Sequence, residues 1–473
     1  VAEFRAWCSP GLDEEPSGTR TVEAIGGGAG SGGVDLRYPV FDGASLGRLV
    51  RSLREARSVL VDRPVLEIAE CLGAVAARFL DATDPVRVRA LELLPAATGL
   101  SPPMASSILD GMAADWTAER LVALLESEFG DPSVRDRFVV RPGRGRTRAL
   151  GPAFAVHLSS GNVPGVSVTS MLRSLLVGTA VLLKPGRGDV VLPVLFAETL
   201  GALHPELAAA TSVVYWPGGE DGLEGHLLSL ADLVVAYGSD SSVRAVRRRL
   251  PAHVPLVAYR HRASVALVGR EALERSRVRS TAREVAVAVA LFDQRGCVSP
   301  QLVWVEEGGE ATPSELAEAV ANELRSVDVD LPVGALADDE AAVLQQRRGT
   351  AELLAASGTD VRVWSGGASP WTVVFEGGSE GPGGGPGRFI RIRPIPDARE
   401  IGEALAPIGP HLQTMALTGL GERVEAIAEI LARVGVIRIA PLSRAAWPPP
   451  WWHHDGMGPL GALVRWVDLE EPL

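Results

Sequence analysis

Lysine is all but missing from this chain: of its 46 basic side chains only Lys184 is lysine, and the others are arginine. Positive charge is in short supply altogether, since 58 acidic side chains leave a formal charge of −12. That balance excludes nucleic acid or an anionic membrane as the main partner, although a local basic groove for a phosphorylated ligand stays open. Three cysteines, Cys8, Cys71 and Cys297, are too few and too scattered for a disulfide framework or a structural zinc site, and no metal is expected. No apolar run reaches the roughly 18 residues of a membrane span. The first residues carry Glu3 and Arg5 without an apolar segment and do not read as a signal peptide, so a cytoplasmic protein is expected. What is present, 473 residues at 46% hydrophobic and 22% charged, suits a globular enzyme of two or three domains acting on a small molecule.

The lone lysine marks a place where an arginine fork does not serve. An ammonium is a compact point charge on a thin stem and reaches ribose hydroxyls or a phosphate in a tight crevice. Thr179 to Leu183 reads as a buried strand that delivers Lys184 to its carboxyl end, ahead of the turn Pro185-Gly186. Open α/β sheets bind ligands at that edge.

Organisation along the chain agrees. A glycine tract from Gly26 to Gly33 holds a formal G-x-G-x-x-G at Gly28, Gly30 and Gly33, but no helix opens after it, so it is expected to be a flexible turn before a strand-like piece at Val34 to Val40. Ala44 to Phe129 is patterned as helices broken at Pro64, Asp84-Pro85 and Pro102-Pro103. Short apolar strands then follow at 153–158, 179–183, 211–215, 233–236 and 254–259, with helical stretches such as 190–203 and 241–250 between them. Such alternation builds a parallel sheet covered on both faces. From Ser264 to about Ala440 a second α/β segment carries a helix before Cys297, a strand at 302–305, helices at 313–325 and 421–434, and a glycine- and proline-rich loop at 377–387. The end, Trp447 to Gly456, concentrates aromatics with His453 and His454; neighbouring histidines point in different directions, so a packing or interface tail is expected there.

Each cysteine is judged alone. Ile68, Cys71, Leu72, Val75 and Phe79 share one helix face, which makes Cys71 a core residue, and Cys8 lies beside Trp7 in a terminal stretch. Cys297 differs: in Phe292-Asp-Gln-Arg-Gly-Cys297-Val-Ser-Pro-Gln301 it follows a helix end and a glycine that lets the backbone turn, in a polar surround where a reactive thiol belongs. Three turns after strands complete the set: Ser159-Ser160-Gly161-Asn162-Val163-Pro164-Gly165, Lys184-Pro185-Gly186-Arg187, and Tyr237-Gly238-Ser239-Asp240-Ser241, the last opening a helix whose N–H groups can accept a phosphate.

In this order an Asn-x-Pro turn, a Lys-Pro turn, a Gly-Ser helix start and a cysteine resemble the aldehyde dehydrogenase superfamily. Within it, Ser160 to Pro164, Cys297 to Gln301 and Trp452 to Gly456 are similar to the LuxC-like acyl-CoA reductases over most of the chain. The resemblance implies an α/β fold with a Rossmann-type cofactor domain and a second α/β catalytic domain. The expected divisions are 1–262 for nucleotide binding with the N-terminal helices, 263–440 for catalysis, and 441–473 as a segment returning to the active site or an interface. It implies that Cys297 attacks an acyl thioester, that its own N–H and Asn162 hold the oxyanion, and that the acyl-cysteine accepts hydride from a nicotinamide to give an aldehyde. Lys184 would meet the adenosine ribose or its 2′-phosphate, and Gly238 and Ser239 the pyrophosphate, with Ser160 and Gly161 also at the cofactor.

Two departures refine the expectation. Hydrolytic members place a water-activating glutamate after the Gly-Ser helix, whereas Ala258 to Ser264 holds no carboxylate, which favours thioester reduction over aldehyde oxidation. His261, in that stretch, matches a histidine of the reductases and is a candidate for tuning the thiolate or leaving group. Arg187 stands where NAD-preferring relatives tend to carry a glutamate, so NADPH is expected over NADH. The expected partners are acyl-CoA or an acyl-carrier protein, with an acyl-transferase or acyl-activating protein upstream and a homo-oligomeric state by superfamily habit. Acyl-phosphate reduction, a hydrolytic dehydrogenase and a non-catalytic docking subunit remain alternatives. Trp447, Trp451 and Trp452 are candidates to line an apolar channel.

Overall fold

The computed structural model describes residues 2–9, 18–23, 33–141, 145–367, 369–378 and 387–470. The glycine tract that holds Gly28 and Gly30, and most of the 377–387 loop, lie outside them. Two compact units are formed, one from Val1–Thr98, Ala105–Arg260 and Pro449–Leu473, the other from Gly99–Met104 and His261–Pro448.

The helical run begins where Asp42 accepts the Ser45 N–H at 2.6 Å and the Ser45 hydroxyl accepts the Asp42 N–H, a reciprocal cap that starts Gly43–Ala56. Helices Ser58–Asp62, Val65–Leu80, Pro85–Thr98, Pro102–Asp115 and Ala118–Phe129 follow, with breaks at the prolines as expected. Val65–Leu80 buries Ile68, Leu72, Val75 and Phe79, and Cys71 sits half-buried at the flank of that face beside Arg63.

Beyond them the first unit's main sheet runs Leu256–Tyr259, Leu233–Tyr237, Phe154–Leu158, Ala180–Lys184, Thr211–Val214 and Trp7–Cys8. The first five pair in parallel and only Trp7–Cys8 is antiparallel. Their apolar runs are buried through the sheet, as strands covered on both faces require. In chain order the five parallel strands lie 5-4-1-2-3, so the order reverses between Phe154–Leu158 and Leu233–Tyr237. Two three-stranded sheets complete this unit, one of Ala2–Arg5, Val34–Pro39 and Thr19–Glu23, the other of Arg465–Leu469, Gly145–Leu150 and Val139–Arg141.

The second unit holds a seven-stranded sheet in the order Val361–Gly366, Ser369–Glu376, Phe389–Ile395, Pro300–Glu306, Ala263–Val268, Leu412–Thr418 and Arg438–Pro441. All neighbours but the first pair are parallel. Helices Val278–Ala290 and Pro313–Asp330 pack on one face around Val285, Val289, Leu316 and Val320. Periodicity alone anticipates only Pro300–Glu306 among these strands, because polar residues interrupt the rest. Arg391 and Arg393 interrupt Phe389–Ile395, and both pair with the one carboxylate of Glu376 on the adjacent strand. Among the described residues no helix is long and apolar enough to cross a membrane.

Candidate active site

Parallel pairing sets the three turns of the first unit on one edge. Leu158 is level with Lys184, and Ala236 with Leu158, so the segments after them emerge together at the carboxyl ends. The reversal of strand order between Phe154–Leu158 and Leu233–Tyr237 makes this the edge where a crevice for a ligand opens. The two turns nearest each other pack backbone to backbone. A Cβ on Gly161 would stand 2.6 Å from the Gly188 nitrogen, and one on Gly186 2.4 Å from the Gly161 nitrogen. Gly161 is therefore a glycine for close approach, and it leaves Asn162 exposed at the tip. Gly165, at φ 95°, starts the helix Val166–Leu176, whose first N–H groups are taken by Asp189: Gly165 and Ser167 donate to it at 2.7 and 2.8 Å. Burial pushes the Asp189 carboxyl up to about 7 against those two donors.

Lys184 is largely buried and faces Glu224 at 3.5 Å, with its ammonium 5.5 Å from the Trp216 ring centre. Burial lowers its pKa and Glu224 opposes this. Glu224 also accepts from Arg249 at 3.1 Å, while Arg187 is exposed next to Tyr215, to which it hydrogen-bonds. Ser239 caps Asp240–Arg249, its hydroxyl 2.8 and 2.9 Å from those of Ser241 and Ser242. An exposed helix start, a ring of hydroxyls, and cations at Lys184 and Arg187 along one edge fit a dinucleotide.

Beneath this edge His157 is fully buried, with Nδ1 2.6 Å from the Ser170 hydroxyl and Nε2 2.7 Å from that of Ser174. The Tyr237 hydroxyl donates to Ser170 at 3.2 Å. The C-terminal segment is stapled above. Trp452, His454 and Tyr259 stack at centroid distances of 4.6 and 4.4 Å, Tyr237 continues the pile at 4.6 Å, and Asp455 accepts the Arg260 N–H at 3.0 Å. His453 is exposed, so the two histidines diverge as expected. The tryptophans are engaged within their own units: Trp451 under Arg120, Trp452 on His454, Trp447 against Phe292.

In the second unit Cys297 lies at the opposite kind of edge, three residues before Pro300, where the parallel strands begin. Sequence reasoning assigned the chain reversal to Gly296. The structure instead turns at Phe292, Asp293 and Gln294, three consecutive non-glycine residues with φ of 59°, 48° and 62°. Such backbone costs about 1–3 kcal/mol per residue and persists only where its surroundings dictate it. Here they do. Asp293 and Arg388 form a fully buried pair at 2.7 Å, with Gly334 N–H on the other carboxylate oxygen, and Gln294 donates to the Pro300 and Phe389 carbonyls. Ser264, at an irregularity in the Ala263–Val268 pairing, accepts from Thr414 N–H at 3.2 Å and donates to the Cys297 carbonyl at 2.6 Å. Ser299 and Thr414 hydroxyls at this edge are buried without a hydrogen-bond partner among the described residues, so it carries polar groups beyond those that the fold consumes.

His261 is exposed just ahead of the Ala263–Val268 strand. Residues that sequence reasoning missed are Glu224 at Lys184, Asp189 under the Asn162 turn, and Ser264 at the Cys297 carbonyl. Only Ser264 left a trace, a polar residue opening an apolar strand. Among the described residues no three His, Cys, Asp or Glu side chains gather as a metal site.

Comparison with known proteins supplies the context for this geometry. A model of the acyl-CoA reductase (LuxC) family matches residues 60–466. The chain is 25% identical over 361 residues to long-chain acyl-protein thioester reductase 2 of Photobacterium leiognathi, covering 74% of this chain and 71% of that protein. It is 26% identical over 369 residues to the long-chain acyl-protein thioester reductase of Aliivibrio fischeri, covering 76% and 74%. Among solved structures, an NAD-dependent benzaldehyde dehydrogenase from Corynebacterium glutamicum aligns with a TM-score of 0.73 at 17% identity, over 97% of this chain and 96% of that one. A 3,6-anhydro-L-galactose dehydrogenase aligns with a TM-score of 0.74 at 12% identity, over 99% of both. The fold is that of the aldehyde dehydrogenases.

Proposed function

Since the chain belongs to the acyl-CoA reductase (LuxC) family, we propose that it reduces a fatty acyl thioester to the aldehyde through an acyl group carried on Cys297, with NADPH as donor. The observation that carries this reading is the fixed presentation of Cys297: a left-handed turn locked by a buried ion pair, with the cysteine carbonyl tied down by Ser264.

The Cys297 thiolate attacks the thioester carbonyl carbon, forming a C–S bond, and collapse of the adduct breaks the original C–S bond and expels the carrier's thiolate. We assign the oxyanion to the Cys297 N–H and the Asn162 amide. A nicotinamide, when bound, would supply the hydride for the aldehyde C–H bond, and Cys297 would leave as its thiolate as the acyl C–S bond breaks. The chain's own part is to hold that cofactor with Gly238, Ser239 and Lys184, and to withhold the carboxylate that would activate water at 258–264. The NADPH preference rests on Arg187. Glu224 is shared by Lys184 and Arg249, and Asp221 also pairs with Arg249, so those charges balance and Arg187 is the cation in excess for a 2′-phosphate. The relatives' names favour an acyl group delivered on protein, and a partner that loads that carrier is part of the proposal. We leave His261 the lesser role of acting on the leaving group.

The test is to mix the purified chain with NADPH or NADH and a panel of acyl-CoA and acyl-carrier-protein thioesters, following nicotinamide oxidation and aldehyde together. One aldehyde per nicotinamide, faster with NADPH, and a loss on the order of 10³-fold or more in Cys297→Ala are expected. An unchanged rate in Cys297→Ala would sink the covalent route.

A further inference from the structure

We infer that Asp189 is the positioning residue of the Asn162 turn: from the turn that carries Lys184 it grips the start of the helix behind Asn162, so that the oxyanion donor and the cofactor-binding lysine are held in one frame. The inference rests on the reading of Asn162 as an oxyanion donor and adds the group that fixes it.

The grip comes from an unexpected place. A helix start is ordinarily capped by the side chain of the residue just before it. Ahead of Val166–Leu176 that residue is Gly165, which has no side chain to offer and sits at φ 95°. The cap is supplied instead from 24 residues further along, where Asp189 ends the short helical turn Arg187–Asp189 that follows Lys184-Pro185-Gly186. One carboxylate oxygen accepts the Gly165 N–H at 2.7 Å and the other the Ser167 N–H at 2.8 Å. The near end of the Asn162 segment is tied to the same turn, since the Ser159 N–H donates to the Lys184 carbonyl at 3.0 Å. Between these ties Gly161 lies against the backbone of Gly186 and Gly188. The Asp189 N–H donates to the Gly186 carbonyl at 2.9 Å, which fixes its own place in the lysine turn. Asn162 is thus the exposed tip of a loop pinned at both ends to the turn that carries Lys184.

The choice of residue points the same way. Asp189 is 1% exposed, and no cation pairs with it among the described residues. Burial raises its pKa, so the charge is kept there at a cost. Serine or asparagine would cap a helix without that cost, but an ionised carboxylate meets two N–H groups with an oxygen apiece and brings no donor of its own. Buried beneath the turn, Asp189 acts on the reaction only through Asn162.

A double-mutant cycle tests this in the full chain: native protein, Asp189→Asn, Asn162→Ala and the two together. Acylation of Cys297 is timed by peptide mass spectrometry with tetradecanoyl-CoA or tetradecanoyl-carrier protein, whichever acylates the native chain faster, and melting temperatures are recorded alongside. Asp189→Asn keeps the shape and turns an NH₂ group toward one of the two N–H donors. Expected is acylation slower by about 10²-fold in Asn162→Ala and by about 10-fold in Asp189→Asn, with no further loss in the double variant. Losses that multiply in the double variant would show Asp189 acting independently of Asn162 and overturn the inference. Native acylation in the folded fraction of Asp189→Asn, with only its melting temperature lowered, is the mark of a purely structural role and overturns it too. If Asp189→Asn does not fold, Asp189→Ser, which is smaller and keeps one acceptor, enters the same cycle. Native acylation in Asn162→Ala, or none in the native chain with either thioester, is a separate failure, that of the reading of Asn162 and Cys297, and takes the inference with it.

Discussion

The first unit gathers its candidate residues at the carboxyl edge of a parallel sheet and the second at the amino edge, and the two edges are held by different physics. At the carboxyl edge the turns are short and contiguous, and they are fixed by missing side chains: Gly161, Gly186 and Gly188 touch backbone to backbone. At the amino edge the turn that precedes Cys297 runs through three left-handed non-glycine residues and is fixed by full charges, Asp293 and Arg388, with no solvent around them. A turn held by glycines is tuned for space. A turn held by a buried ion pair stores strain, and it fails as a unit when one charge is removed.

The largest effect is therefore expected at Arg388. Arg388→Met leaves Asp293 charged and buried with only the Gly334 N–H, a loss of about 3–5 kcal/mol. Denaturant unfolding reads the loss of stability, and Cys297 in the folded fraction is expected to lose any distinct alkylation rate as the left-handed turn relaxes. A stable variant with unaltered Cys297 reactivity would show that the pair does not hold the turn.

A smaller effect is expected at Gly161. In Gly161→Ala the new methyl meets the Gly188 nitrogen at 2.6 Å, and since both partners are backbone one turn must shift. Overpacking of this kind costs about 1–3 kcal/mol. The expected signature is a lower melting temperature and weaker NADPH binding by fluorescence, with the Cys297 alkylation profile unchanged. If cofactor binding survives intact, the close turn–turn packing is not what shapes that edge.

The same contrast explains what was legible in the sequence. Strands at 154–158, 180–184 and 233–237 are short, largely apolar runs, broken only by His157 in the first, that end in glycine-bearing turns, so both their existence and their shared edge could be read from local pattern. Cys297 was legible for the same local reason. Its supports were not: Ser264 and Thr414 come together only through strand register, and of Phe292-Asp293-Gln294 only Asp293 is a residue type that favours positive φ. Most strands of the second sheet escaped because Arg391, Arg393, Gln413 and Thr414 break their pattern, and Glu376, which pairs with both arginines, sits on the neighbouring strand rather than beside them in sequence. Glu224 was invisible beside Lys184, since 3.5 Å in space is 40 residues in sequence.

The smallest effect sharpens the comparison by pH. His157, under the first unit's edge, is neutral: burial pushes its pKa down to about 3, with Arg173 adding in the same direction, while both ring nitrogens are occupied by serine hydroxyls. In the unfolded chain an imidazole titrates near 6.5. Between those values the unfolded state binds a proton that the folded state refuses, so the contribution is fully present above about pH 6.5 and is lost as the pH falls, at up to about 1.4 kcal/mol per unit. From pH 7.5 to 5.5 the native chain should lose about 1.4 kcal/mol through this group, and His157→Gln, less stable at pH 7.5, should show a correspondingly flatter profile in urea unfolding. Equal slopes for the two proteins would mean that His157 accepts its proton in the folded state, in which case the hydroxyls of Ser170 and Ser174 rearrange to accept from an imidazolium and the edge above them, through Tyr237, senses acid.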